Sequence, residues 1–210
     1  LKTAWNKLPA AKRMHHLTVP IVGLTGGIAT GKSTVAKLLI DHGLPVINAD
    51  LLVKSIYAHE ETKEWIRLNY PDCMKGNEID FKLLREKFFT APAVKDEIEA
   101  YIYARMPDAF NLSYKNLGRP SFVIYDVPLL FEKHLDVMVD MKVVVYAPAK
   151  IQKARLMERD GHKEDLALTI MSSQMDIEVK KNKADFVIDN SATLTELAEE
   201  VNQFLRQAFS

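Results

Sequence analysis

The chain has 210 residues, 48% of them hydrophobic, which favours one domain with a sizeable core and room for an insertion. Its 28 basic and 28 acidic side chains balance, so no net positive field favours nucleic acid or an anionic membrane as a partner. No apolar run approaches the ~20 residues that a membrane-spanning helix needs. The single cysteine, Cys73, excludes an internal disulfide and predicts a reducing compartment, the cytoplasm.

The first twenty residues, LKTAWNKLPAAKRMHHLTVP, are predicted to be an N-terminal extension or leader in front of the domain. They lack the apolar core of a signal peptide. Met14 is a candidate for the natural start of the chain. His15 and His16 are adjacent, so they cannot share a helical face as a metal-binding pair, and we expect both to be solvated.

Five apolar runs follow in chain order: PIVGLTG, LPVINAD, SFVIYDVPLL, MKVVVYAP and ADFVIDN. Each run is continuous rather than alternating, which is typical of strands buried on both faces of a parallel sheet. The segments between them have a helical period. KSTVAKLLIDHG, for example, places Val35, Leu38 and Leu39 on one stripe and stops at Gly43. This alternation predicts a three-layer α/β domain with a five-stranded parallel sheet.

One connection is too long to be a loop, because about seventy residues separate the second run from the third. These residues have helical patterns: LLVKSIYAHEETKEWIRLNY, IDFKLLREKFF and APAVKDEIEAYIYARMPDAFNLSYKNLG. We therefore expect a helical subdomain, about residues 51–120, inserted over the ligand edge of the sheet.

The stretch GGIATGKS, residues 26–33, matches G-x-x-x-x-G-K-S between a strand run and a helical run, the context that supports a phosphate-binding loop. Its glycines let backbone N–H groups turn toward phosphate oxygens, and the following helix points its positive end at the same anion. Lys32 supplies charge for the β- and γ-phosphates, and the Ser33 hydroxyl is predicted to bind Mg²⁺. The alternative is a tight turn with a surface lysine. The predicted nucleotide-binding residues here are Gly26, Gly27, Ile28, Ala29, Thr30, Gly31, Lys32, Ser33 and Thr34.

A second motif, NKAD at residues 182–185, resembles the N-K-x-D that recognises guanine in nucleotide-hydrolysing switch proteins. In those proteins the motif follows a buried strand and lies beside the ligand, whereas here it precedes the strand run DFVIDN. The partner motif D-x-x-G is also missing from the sequence, because Asp126 is followed by VPL. We interpret NKAD as an accidental match.

Phosphate transfer needs a base for the acceptor hydroxyl, and Asp50, at the end of the second run, is the candidate. The alternative for Asp50 is an N-cap of the following helix. Asp126, at the end of the third run, lies where phosphate-loop proteins place a carboxylate that holds Mg²⁺, directly or through water. The alternative for Asp126 is a turn aspartate before Pro128.

A kinase also needs a cover that keeps water from the transferring group. In KARLMERDGHKEDLA, Arg155 and Arg159 lie four residues apart on one helical face, and Asp160-Gly161 then breaks the helix. Guanidinium groups suit the charge on phosphate oxygens, so we predict a basic lid at about residues 155–170 that contributes Arg155 and Arg159 to nucleotide binding. The alternative is a solvated, charged helix end.

Taken in order, these motifs resemble the dephospho-coenzyme A kinase family. VGLTGGIATGKSTVAKLL is similar to the opening of that family, VINAD to its second-strand motif, and YDVPLLFE to its D-V-P-L-L-F-E. RLMERDG resembles its lid, and ADFVIDNSATLTEL its last strand and helix. The resemblance extends from Ile21 to about Phe209 and is weakest in the helical insert.

The resemblance implies a P-loop kinase domain at residues 21–210 that transfers the γ-phosphate of ATP, with Mg²⁺, to the ribose 3′-hydroxyl of dephospho-coenzyme A. It implies that Asp50 is the base beside the catalytic Lys32, that the insert binds the acceptor, and that the lid closes over ATP. We expect a monomer or small homo-oligomer with no nucleic-acid or membrane partner.

Two residues depart from the family pattern. Asn48 stands where the family has the first aspartate of D-A-D, and Tyr103 stands at the expected position of a histidine in the insert. They are the support for an alternative, an ATP-binding regulatory module or pseudo-kinase. A kinase for another hydroxyl acceptor, such as a nucleoside, is the nearer alternative.

Overall fold

The structure, a computed structural model, describes residues 1–161 and 163–209. His162, within the predicted lid, and Ser210, at the end of the predicted kinase domain, lie outside the described residues. The chain divides into two compact units. The first comprises Leu1–Asn48 and Leu117–Ser210, and the second comprises Ala49–Asn116.

The described part of the chain contains seven strands and nine α-helices. The strands are β1 (Ile21–Gly26), β2 (Val46–Asn48), β3 (Met74–Lys75), β4 (Glu78–Ile79), β5 (Val123–Asp126), β6 (Met141–Tyr146) and β7 (Phe186–Asp189). The helices are α1 (Lys32–Asp41), α2 (Ala49–Ala58), α3 (Glu60–Asn69), α4 (Phe81–Thr90), α5 (Pro92–Asn116), α6 (Ala149–Asp160), α7 (Glu164–Ser172), α8 (Ile177–Lys183) and α9 (Leu194–Phe209). None of these helices is both long and apolar enough to span a membrane.

The first unit is built on a five-stranded parallel sheet with the strand order β2-β5-β1-β6-β7. Each strand lies within one of the five predicted apolar runs, and the predicted α/β class is confirmed. Continuous burial explains the continuous hydrophobicity of the central strand, since every residue of β1 is buried. The core packs helices α1 and α9 against the sheet through residues such as Val35, Leu39, Val201 and Phe204.

The register of the sheet brings the ends of its strands together. Leu24 of β1 and Asn48 of β2 are both paired with Asp126, the last residue of β5. Ligands of parallel α/β proteins bind at the carboxyl ends of the strands. A functional site is therefore expected among the residues that follow β1, β2 and β5.

The second unit contains helices α2 to α5 and a two-stranded antiparallel hairpin, β3-β4, which the sequence patterns did not predict. Each hairpin strand has only two residues, too few to show an alternating pattern, and Gly76 makes the turn with a φ of 63°. The unit has its own core, which includes Ile56, Ile66 and Ile98. Cys73 is fully buried in that core.

Residues 1–20 pack against the rest of the first unit through a buried ion pair between Arg13 and Asp140. The carboxylate of Asp140, just before β6, accepts hydrogen bonds from Arg13 Nε at 2.7 Å and from the backbone N–H groups of Leu8 at 2.8 Å and Ile21 at 2.9 Å. Burial alone would raise the pKa of Asp140, but these bonds outweigh it and hold the pKa below its ordinary value. Met14 is also buried, so the extension is part of the folded unit.

The expectation of two solvated histidines is wrong for His15. This residue is half-buried, and burial, together with the neighbouring charge of His16, lowers the pKa of His15 to about 4. Its imidazole is therefore neutral at physiological pH.

Candidate active site

The GGIATGKS segment connects β1 directly to α1, so it has the strand-to-helix setting that a phosphate-binding loop requires. Two of its residues have left-handed backbone conformations, Ala29 with a φ of 57° and Gly31 with a φ of 88°. Such turns make successive N–H groups converge on one side and form a concavity for an anion. The first turn of α1, which carries Lys32 and Ser33, follows at once.

Asn190, the residue after β7, holds the loop from one side. Its side-chain Nδ2 donates to the carbonyl of Thr30 at 2.8 Å. A Cβ atom on Gly31 would lie 2.1 Å from that nitrogen, and the positive φ of Gly31 would be strained for any other residue. Glycine is therefore required at position 31. Sequence reasoning recognised Asn190 only as the end of a strand run.

Lys32 and Asp126 form an ion pair at the carboxyl ends of the strands. Asp126 is 1% exposed, and its second oxygen accepts a hydrogen bond from Asn48 Nδ2 at 2.6 Å. Asn48, which departs from the resembled family, thus presents an amide donor to this carboxylate. A second carboxylate at position 48 would instead face Asp126 with like charge.

The residues around Asp126 fit a Mg²⁺ ion that takes most of its ligands from phosphate and water. Ser33 is exposed in the first turn of α1, with its hydroxyl available. Both Asp126 oxygens already have partners, which favours contact with a metal through water. Across the described ranges there is no cluster of three or more His, Cys, Asp or Glu side chains that could hold a metal ion by itself. Magnesium sites with one or two protein ligands plus substrate phosphates are common.

Of the two predicted lid arginines, only Arg155 is tied to the loop framework. Its Nη2 donates to the backbone carbonyl of Asn190 at 2.9 Å, and its Nη1 is buried with no partner among the described residues. Arg159 is exposed and forms two 2.7 Å hydrogen bonds with Asp160. The helix that carries both arginines ends at Asp160, and the next residue, Gly161, makes the predicted break with a φ of 66°.

The NKAD motif, interpreted above as an accidental match, lies at the amino ends of the strands, opposite the phosphate loop. Asp185 accepts a hydrogen bond from the backbone N–H of Lys142, the second residue of β6, at 2.8 Å. Burial opposes ionisation of Asp185, but this bond and the Lys142 ammonium lower its pKa below the ordinary value. Asp185 is therefore a structural partner at the amino ends of the strands.

The sequence pattern placed Asp50 at the end of the second strand, but the residue belongs to the second unit. β2 ends at Asn48, and Asp50 is an exposed residue in the first turn of α2. In the sheet, β5 lies between β2 and the phosphate-loop strand β1. Because α2 begins at Ala49, Asp50 lies inside the helix and not at the cap position.

A pocket of about 700 Å³ lies within the second unit and is lined in part by Asp50. Other lining residues include Lys54, Tyr57, Phe81 and Arg85. Lys54 and Arg85 are exposed, and neither has an ion-pair partner in the part of the chain that the structure describes. Aromatic side chains beside unpaired cations suit a ligand with ring groups and phosphates. Tyr103, 48% exposed, lies on α5 and does not line this pocket.

Comparison with known proteins gives a consistent result. The family model of dephospho-CoA kinase matches residues 20–196. A dephospho-CoA kinase of Fusobacterium nucleatum is 35% identical over 190 residues, covering 90% of this chain and 98% of the relative. One of Enterococcus faecalis is 33% identical, covering 89% and 96%. A crystal structure of a Thermus thermophilus protein is similar with a TM-score of 0.77 and 30% identity, covering 91% of this chain and 99% of that one.

Proposed function

This chain belongs to the dephospho-coenzyme A kinase family, and we propose that it transfers the γ-phosphate of ATP to the ribose 3′-hydroxyl of dephospho-coenzyme A. Asp50 is the general base in this proposal, and Lys32 stabilises the transferring group. A cytoplasmic location and a monomeric or small homo-oligomeric state are part of the same proposal.

The observation that carries the nucleotide half of the proposal is the Lys32–Asp126 pair beside the phosphate loop. Lys32 would exchange Asp126 for the β- and γ-phosphates, since an ammonium is a mobile point charge. Asp126 would then orient water on Mg²⁺, while the Ser33 hydroxyl contacts the ion. When bound, Mg²⁺ neutralises charge that develops on the phosphate oxygens.

The nucleotide-binding set in this proposal is the loop itself together with the two arginines of α6. The backbone N–H groups of residues 26–34 would bind phosphate oxygens, as the left-handed Ala29 and Gly31 favour. Arg155 has a buried, unsatisfied donor in the described structure, which an anionic or carbonyl oxygen of the nucleotide would satisfy. Arg159 would have to leave Asp160 in order to contact ATP.

The acceptor half of the proposal rests on Asp50 and its pocket. The Asp50 carboxylate is exposed, so an acceptor hydroxyl can reach it and transfer a proton to it. The unpaired cations Lys54 and Arg85 suit the diphosphate of dephospho-coenzyme A, and Tyr57 and Phe81 offer faces for its rings or its pantetheine arm.

The deciding experiment measures ADP release with dephospho-coenzyme A, with a panel of nucleosides, and with no acceptor. We expect release that depends on dephospho-coenzyme A, accompanied by coenzyme A identified by mass spectrometry. Turnover on a nucleoside alone would support the kinase for another acceptor. ATP binding without transfer to any acceptor would support the regulatory module.

A further inference from the structure

We propose that Lys180, on α8, is a positioning residue for the phosphate loop, and that it links the connector between α7 and α8 to the start of that loop. This inference rests on the proposed function, because it assumes that the loop binds ATP. It assigns a role in nucleotide binding to a side chain far from the loop in sequence.

Lys180 is fully buried, with 0% of its surface exposed. Its ammonium donates to the carbonyl of Gly26 at 3.0 Å, to the carbonyl of Pro128 at 3.3 Å and to Glu132 Oε1 at 2.8 Å. Three N–H donors therefore meet three acceptors, as a buried lysine requires. Gly26 is where β1 becomes the phosphate loop, and Pro128 lies two residues beyond Asp126, so one side chain joins the ends of both strands.

The connector of residues 173–176 is joined to the same cluster. Glu132 Oε1, which is paired with the Lys180 ammonium, also accepts a hydrogen bond from the backbone N–H of Met175 at 2.9 Å. Gln174 Oε1 accepts one from the backbone N–H of Ile28, inside the phosphate loop, at 2.9 Å. The loop is thus attached to the connector at Ile28 directly, and at Gly26 through Lys180 and Glu132.

A purely structural role would make Lys180 important for stability alone. A positioning role makes a second, separate prediction, because phosphate oxygens are bound by backbone N–H groups whose directions depend on where the loop begins. If Lys180 is removed, the carbonyls of Gly26 and Pro128 and the Glu132 carboxylate lose a shared partner and must turn toward other donors. The loop N–H groups would then no longer converge on one anion.

The test compares Lys180→Met with Arg13→Met by calorimetric titration of a non-hydrolysable ATP analogue and by ATP kinetics at a temperature where both variants are folded. Each change removes the cation of a buried ion pair, but Arg13 lies at the amino ends of the strands. We expect Lys180→Met to weaken analogue binding about tenfold and to raise KM for ATP, as the loss of a charged hydrogen bond predicts. Arg13→Met is expected to lower Tm while leaving the Kd of the analogue at the parent value.

Glu132→Gln is a second variant in case Lys180→Met does not fold. It keeps an oxygen acceptor but removes the countercharge of Lys180, and we expect analogue binding to weaken about threefold. A parent-like Kd in every folded variant, or an equal loss of affinity in Arg13→Met, would overturn the inference. Because no acceptor is present, failure of the parent to bind the analogue would instead refute the proposed nucleotide site, and the inference with it.

Discussion

Lys32 and Asp126 form an ion pair where β1 and β5 end, and Asn48 donates a hydrogen bond to the second Asp126 oxygen. Lys32, proposed to bind phosphate, and Asn48, the last residue of β2, therefore both contact Asp126, proposed to orient water on the metal ion. The charge balance of this cluster determines several of the outcomes below.

Lys32→Ala is expected to reduce turnover by about a hundredfold or more. One positive charge on the transferring phosphoryl group typically stabilises the transition state by a few kcal/mol. The fold should survive, since Asp126 keeps its hydrogen bond from Asn48. The measurement is the ADP-release rate at saturating ATP, with circular dichroism as the control for folding. Turnover close to that of the parent would show that the loop lysine does not act on the phosphate.

Asp50→Asn should keep ATP binding and lose transfer. The amide is nearly isosteric but cannot take up a proton, and general-base effects are about a hundred- to ten-thousandfold. Since Asp50 is exposed, the free energy of unfolding should change by about 0.5 kcal/mol or less. The comparison is kcat against the Kd of an ATP analogue. A variant with the parent kcat would show that Asp50 is not the general base, and Asp126 would be the next candidate.

Asn48→Asp should destabilise the protein in a pH-dependent way, because it replaces an amide donor by a carboxylate facing Asp126. Two facing carboxylates raise the pKa of one of them, so the penalty should be small near pH 3 and grow as pH rises above about 4. We expect about 1–3 kcal/mol at pH 7, and a smaller loss when Mg²⁺ is added.

The measurement for Asn48→Asp is Tm as a function of pH, with and without Mg²⁺. Asn48→Ala is the matched control, since it loses the donor without adding a charge, and its penalty should grow less steeply with pH than that of Asn48→Asp. A flat pH profile for Asn48→Asp would contradict the arrangement around Asp126.

Arg13→Met should reduce the free energy of unfolding by about 3 kcal/mol at pH 7, as expected when one member of a buried ion pair is removed. The folded pKa of Asp140 is depressed, so the pair stabilises the protein above the unfolded value of about 4 and loses that contribution as pH falls through the folded pKa. The difference in Tm between variant and parent should therefore shrink from pH 7 to pH 3. A constant difference would mean that Asp140 ionisation does not support the extension.

The sheet and the phosphate loop were predictable because their signals are local. Each of the five strands lies in a run of adjacent apolar residues. The loop is a contiguous motif, directly preceded by a strand pattern and directly followed by a helix pattern. The parallel sheet follows from the same alternation. Only the strand order, with β5 between β1 and β2, needed the three-dimensional structure.

Lys180 was not predictable, because it lies in the basic stretch EVKKNK and has the same local pattern as its more exposed neighbours Lys181 and Lys183. The one available signal was its spacing from Ile177, three residues earlier and also buried. The Arg13–Asp140 pair is separated by 127 residues, so no local pattern could have joined them. Long-range polar contacts of this kind depend on tertiary packing that sequence periodicity does not report.

The hydrophobic core of residues 49–116 is complete within that segment, with its own isoleucines, its buried cysteine and its aromatic stacking of Trp65 on Tyr101. Substitutions in the lining around Lys54, Tyr57 and Arg85 can therefore accumulate without repacking the core under α1, the helix that begins with Lys32. If this pocket binds the acceptor, as we propose, drift in acceptor preference would leave the chemistry of the phosphoryl donor unchanged. A recombinant that exchanges this segment for that of a relative should then take on the relative's acceptor.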